Sequence, residues 1–131
     1  MASPNLLGLT TGTGTTTYYT PTGTTAVVLL ANAASSGKVY KINQIVCANV
    51  NGSTAVNATV SIYTNGAQAQ GNAPSGGTAY PIISTIAVPA NASLIAVDKT
   101  TAVYLMEGTS ITVTSGTASG ITYTISYEDL S

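Results

Sequence analysis

The sequence predicts an all-β fold: a single β-sandwich, jelly-roll or Ig-like, of roughly eight to nine strands with an N-terminal arm. Three observations carry this expectation. Apolar and polar residues alternate with period two in several segments, turn-forming residues recur between those segments, and apolar residues nowhere fall at helical spacing. β-branched residues dominate the alternating segments, as suits side chains that pack on a pleated surface.

In chain order, residues 1–25 are rich in Thr and Gly with little apolar alternation. They form the expected arm, which either adds an edge strand or reaches a neighbour, and residues 26–131 form the sandwich domain. Short apolar runs at Tyr18-Tyr19 and 26–31 precede a long strand over 38–50. Asn51-Gly52 then breaks the chain as a hairpin or short loop. In the strand that follows, Val56, Ala58, Val60 and Ile62 share the core face, and Asn57, Thr59, Ser61 and Tyr63 the polar one. Residues 65–78 are a polar Gly/Ala/Gln loop containing Pro74, and a loop of that length without its own pattern is usually functional or disordered. Pro81 removes a ladder N–H, so the strand around 82–88 is an edge strand or starts there. A turn at 89–91 leads to 94–98, and Glu107-Gly108 separates 103–106 from 110–115, where Ile111 and Val113 alternate with Thr112 and Thr114. Residues 116–120 turn the chain into its last strand, in which Ile121, Tyr123, Ile125 and Tyr127 share the core-facing register.

A chain of 131 residues is one domain. Charge is its least ordinary property: three lysines, no arginine, no histidine and four acids, for a net charge of −1, where an average domain carries about 25% charged residues. Either the hydroxyls of a Thr-rich β-protein supply its solubility, or copies sit side by side where repeated charges would repel. No basic patch is available to neutralise phosphates, so nucleic-acid binding is not expected. The apolar run at 26–34 is broken by Asn32 and is too short to cross a bilayer, and no signal peptide is expected at the start of the chain.

The same composition argues against catalysis and cofactors. Acid–base chemistry wants a histidine or a carboxylate in a perturbing pocket, and here Asp98 and Glu107 read as turn charges while Glu128 and Asp129 lie at the C-terminal end. A calcium site from Asp98, Glu107 and carbonyls lacks a ligand-dense loop, and zinc lacks its His and paired Cys ligands. Cys47, the single cysteine, lies in an apolar strand and reads as a buried structural thiol. No enzyme activity and no cofactor are expected. The candidate interface residues are Tyr18 and Tyr19 in the arm, Tyr63, and Gln68, Gln70 and Pro74 in the loop.

Three segments carry a resemblance: Lys41-Ile42-Asn43-Gln44-Ile45-Val46-Cys47-Ala48-Asn49, Leu105-Met106-Glu107-Gly108-Thr109-Ser110-Ile111, and Ile125-Ser126-Tyr127-Glu128-Asp129-Leu130. With the strands between them, residues 37–131 resemble small virion structural proteins of tailed bacteriophages, especially cyanobacterial phages, of the decoration or cement type. The chain departs from that pattern with Thr109 where such proteins often have Asp and Asp129 where Glu is usual. The resemblance implies a β-sandwich assembled on a virion, bound to the major capsid protein or other virion proteins, as a homo-oligomeric trimer or dimer. A neck, connector, tail or fibre-base component is the alternative within that class. A carbohydrate- or receptor-binding module, using exposed Tyr with Asn and Gln, is the alternative from another class.

Overall fold

The structure is a computed structural model that describes residues 5–131. The first four residues of the expected arm lie outside the described residues. Nine strands follow a one-turn 3-10 helix at Leu6–Gly8: β1 (Gly12–Tyr19), β2 (Val27–Asn32), β3 (Val39–Asn49), β4 (Val56–Tyr63), β5 (Ala79–Val88), β6 (Ser93–Val97), β7 (Val103–Leu105), β8 (Thr109–Ser115) and β9 (Ile121–Leu130). A second 3-10 turn, Lys99–Thr101, separates β6 from β7. All pairings are antiparallel. One sheet, A, has the order β1-β9-β3-β6, with β7 also on β3 beyond β6, and the other, B, has the order β2-β8-β4-β5. The expected β-sandwich is therefore the fold.

Strand order separates the two sandwich topologies that patterning alone left open. β4 pairs with β5, β3 with β6 and β7, β2 with β8, and β1 with β9, so each earlier strand meets a later one in nested fashion. Rolling this ribbon so that β9 also meets β3 and β8 also meets β4 closes the two sheets, which is the jelly-roll arrangement. An Ig-like sandwich would instead pair β1 with β2 as neighbours. The turn at Asn51-Gly52 is correspondingly a loop between sheets rather than a hairpin, because β3 belongs to sheet A and β4 to sheet B.

The core lies between the sheets. Leu29, Ile42, Ile45, Val60, Ile111, Ile121, Tyr123 and Ile125 are fully buried there, and each fully buried aliphatic side chain contributes about 1.5–3 kcal/mol. The spacing Ile42, Ile45, Cys47 breaks strict alternation in β3, and the ladder with β9 shifts between Ile42 and Gln44. That bulge returns Ile45 and Cys47 to the core face. Tyr123 lies wholly in the core, as its register predicts, and its hydroxyl donates to the Thr114 carbonyl. Tyr127 lies nearer the margin, its ring tilted against Tyr40 with centroids 5.0 Å apart.

Two buried asparagines tie the strands where the sheets cross. Asn32 Nδ2 donates to the carbonyls of Lys38 and Leu105, both at 3.0 Å, and its Oδ1 accepts from Ser36 Oγ at 2.6 Å. Asn49 Nδ2 donates to Thr54 O at 3.0 Å and Val88 O at 2.8 Å, and its Oδ1 accepts from Asn51 N–H at 2.8 Å. Each amide satisfies carbonyls that a sheet-to-sheet crossing takes out of the ladder.

Candidate interaction surfaces

Sheet A presents an open outer face. Core-facing Ile125, Ile45 and Cys47 place their neighbours outward, so the cross-strand row Tyr18, Thr124, Val46 and Ile95 runs over four strands. Tyr18 is 69% exposed and Ile95 54%. The next row holds Thr16 and Ser126, whose hydroxyls meet at 3.0 Å. Beyond it come Gly14, Glu128, Lys41 and Tyr104. Hydroxyls, rings and one ion pair thus share an otherwise neutral surface.

Charge is confined to the margin of this sheet. Lys38 Nζ lies 3.1 Å from Asp129 Oδ2, and Lys41 Nζ lies 3.9 Å from Glu128 Oε2. The hydrogen bond to Asp129, with the attraction of its charge, holds the Lys38 ammonium above its ordinary pKa. Asp98 caps the 3-10 turn after β6, accepting from the Thr100 and Thr101 N–H groups at 2.9 and 3.2 Å, and its hydrogen bonds from Thr100 lower its pKa. That capping role explains the residue locally, and no group of His, Cys, Asp or Glu suited to a metal ion occurs among the described residues. Sheet B and the 64–78 loop contain no charged residue, because none lies before Lys38, between Lys41 and Asp98, or between Glu107 and Glu128.

Sheet B has an outer face that is covered over β2, β8 and the end of β4, while Asn57 and the outward residues of β5 stay exposed. Val28, Thr112 and Ser61 are neighbours across it and are 0%, 3% and 5% exposed although they point away from the core. The 64–78 loop folds back over these strands. Ser110 Oγ donates to Asn65 O at 2.9 Å, Val28 N–H donates to Asn72 O at 2.9 Å, and Gly71 N–H donates to Val28 O at 2.8 Å. At Gly66 the loop runs so close to Asn32 and Thr109 that a Cβ would collide with both carbonyl oxygens. The loop wraps the β2 edge and layers over the outer face beside Ser110 and Tyr63.

This layer changes the reading of the candidate interface residues. Tyr63, expected on an exposed polar face, is 8% exposed: the returning loop packs on its ring, and Gly77 N–H donates to its hydroxyl at 3.0 Å. Gln70 Nε2 donates to Leu29 O at 2.9 Å and Thr17 Oγ1 at 3.1 Å, tying the loop to β2 and β1. Gln68 Nε2 donates to Ser75 Oγ at 3.2 Å, and Pro74 is half-buried. Tyr19 is half-buried against the core, beside Gly71. Of the six, Tyr18 and Gln70 are exposed, and Tyr18 alone stands on the open face of sheet A. The expected arm is an edge strand of the chain's own sheet A, since β1 pairs with β9 throughout its length. Pro81 lies, as expected, in an edge strand, β5.

Cys47 is a buried free thiol, as expected, and burial pushes its pKa up to about 12. Ile95 and Tyr104, which the sequence did not single out, join Tyr18 on the open face because β6 and β7 lie alongside β3. In comparison with known proteins, no family model, no curated protein and no solved structure matches the chain.

Proposed function

We propose that this chain is a structural component of a tailed-phage virion, a decoration protein that binds the major capsid protein on the outside of the head. The observation that carries the reading is the distribution of charge. Every charged residue lies in or beside sheet A, and sheet B, its covering loop and β1 are neutral. A neutral, hydroxyl-rich exterior can be tiled in many copies without mutual repulsion. The phage-like strand and turn segments over 37–131 and the jelly-roll order, a fold used in capsids as well as in lectins, point the same way. Binding would proceed by burying neutral surface and pairing strand edges rather than by long-range steering.

Quantitative mass spectrometry of virions that carry the protein tests this against the copy number of the major capsid protein. Hundreds of copies in simple ratio to the shell subunit are expected. A copy number matching a single ring would move the protein to the neck or tail, and absence from washed particles would overturn the virion reading.

A further inference from the structure

A sandwich has four sheet edges, and here three of them are blunted. The β2 edge of sheet B is capped by the loop, through the bonds that Val28 makes with Gly71 and Asn72. The β5 edge carries Pro81, two register shifts against β4, and Thr85 at φ +54. The β6/β7 edge of sheet A is split into two short strands by the Lys99–Thr101 turn. Proline, bulges, short strands and covering loops are the usual protections against edge pairing. Among the described residues the β1 edge is the least protected: Gly12–Tyr19 holds no proline and no charge, pairs with β9 without a register shift, and meets the 64–78 loop through the Thr17 and Tyr19 side chains rather than through its edge backbone groups.

We propose that β1 is the docking edge for a second copy of this chain, which adds its own β1 antiparallel about a two-fold axis. The inference stands apart from the virion reading. Thr11 and Ser131 exchange both backbone hydrogen bonds, each at 3.0 Å. Bonded pairs alternate along an antiparallel ladder, so the N–H and C=O groups of Gly12, Gly14, Thr16 and Tyr18 point away from β9 toward the open edge. A second β1 that pairs all four of them lies in one register, with Gly12 opposite Tyr18, Gly14 opposite Thr16, and Thr15 opposite its own copy.

The strand is complementary to itself in that register. Each Tyr18 ring, 69% exposed in the single chain, lies across the other strand's Gly12, and each Thr16 across Gly14. Large residues meet glycines, an arrangement in which an aromatic side chain shields a cross-strand glycine. No like charges are opposed. The acids of β9 are one strand removed on either side, so across the joint sheet they lie roughly 14 Å apart, beyond the Debye length of about 8 Å, and each lies beside a lysine. A two-fold contact of this kind uses the same patch on both copies and closes on itself.

Sedimentation velocity and cysteine cross-linking of the full chain test the proposal. The unmodified protein is expected to sediment as a dimer, and Thr16→Lys, which places a charge on the edge and loses the Thr16–Ser126 hydroxyl contact while leaving the backbone ladder to β9 intact, as a monomer with an unchanged circular dichroism spectrum. Thr15→Cys is expected to link two copies under mild oxidation, because its Cα atoms face each other across the axis at about 4.5 Å, within disulfide reach. Thr13→Cys is expected not to link, because its mate is residue 17 and its own copy is roughly 13 Å away. Cys47 is buried and stays silent. A monomeric unmodified protein at all concentrations, a dimer indifferent to Thr16→Lys, or linking through residue 13 as efficient as through residue 15 would each overturn the proposal. The cysteine pair decides the matter if the lysine variant fails to fold.

Discussion

The two outer faces of the sandwich use similar residues to different ends. On sheet A, Thr124, Ser126 and Thr16 face solvent beside Tyr18 and Ile95. On sheet B, Thr112, Ser61 and Ser110 occupy equivalent outward positions yet are as buried as the core, because the 64–78 loop lies over them. Small hydroxyl residues on a sheet therefore do not mark a wet face. They also permit a close second layer, since a short side chain leaves room for backbone to approach and offers it a hydrogen bond. The covered face belongs to the fold, and the open face is free to meet a partner.

Substitutions can break this contrast. The largest effect is expected at Gly66, where a Cβ would meet the Asn32 and Thr109 carbonyl oxygens, the second at 2.7 Å, with backbone on both sides unable to yield. Gly66→Ala is expected to cost about 3 kcal/mol in urea unfolding. Gly14→Ala on β1, where a Cβ meets nothing within 4 Å, is the matched control and is expected to change stability by less than about 0.5 kcal/mol. Equal effects at the two glycines would remove the distinction between the faces. Asn32→Leu comes next. It strands the Lys38 and Leu105 carbonyls in a buried site, at an expected cost of about 2–3 kcal/mol in the same assay.

Alkaline pH probes the core that both faces share. The Cys47 thiol has its pKa raised by burial from an ordinary 9.0 to about 12, and burial raises that of the Tyr123 hydroxyl as well. Both protons are held more tightly in the folded chain than in the unfolded one. Their contribution is complete below the unfolded pKa and is lost as pH climbs toward the folded one. Stability is expected to be flat up to about pH 9 and then to fall by up to about 1.4 kcal/mol per pH unit for each group. Urea titrations across that range should show Cys47→Ala less stable at neutral pH but with a shallower fall. A small effect belongs to the margin of sheet A: Asp129→Asn, which removes the Lys38 pair, is expected to cost under about 1 kcal/mol and to lose its effect in high salt.

Local patterns in the sequence predicted local structure well. Ile111 and Val113 in β8, and Ile121, Tyr123 and Ile125 in β9, are core residues because simple alternation holds in those strands. Pro81 marked an edge because a missing N–H is a property of the residue itself. The expectation failed at Tyr63, whose surroundings come from a loop that no alternation describes. Strand order was equally hidden, since β1 and β9 carry no local sign of each other, and neither Asn32 nor Asn49 announces which carbonyls it will satisfy. Among the candidate interface residues, Tyr18 remains free, while Gln70 serves as an internal tether.

The nested order of pairing also sets a schedule. Thr16 and the Ser126 it bonds to are 110 residues apart, so at typical synthesis rates β1 emerges roughly 5–20 s before its partner strand exists. β2 waits for β8 in the same way, and only the pairing of β4 with β5 can form early. Such a fold has high contact order and closes late and slowly. During that wait the Thr/Gly composition of β1 serves a second purpose: a strand of glycines and hydroxyls, with its two tyrosines at one end, stays hydrated without its partner, where a strand of valines would already be seeking one.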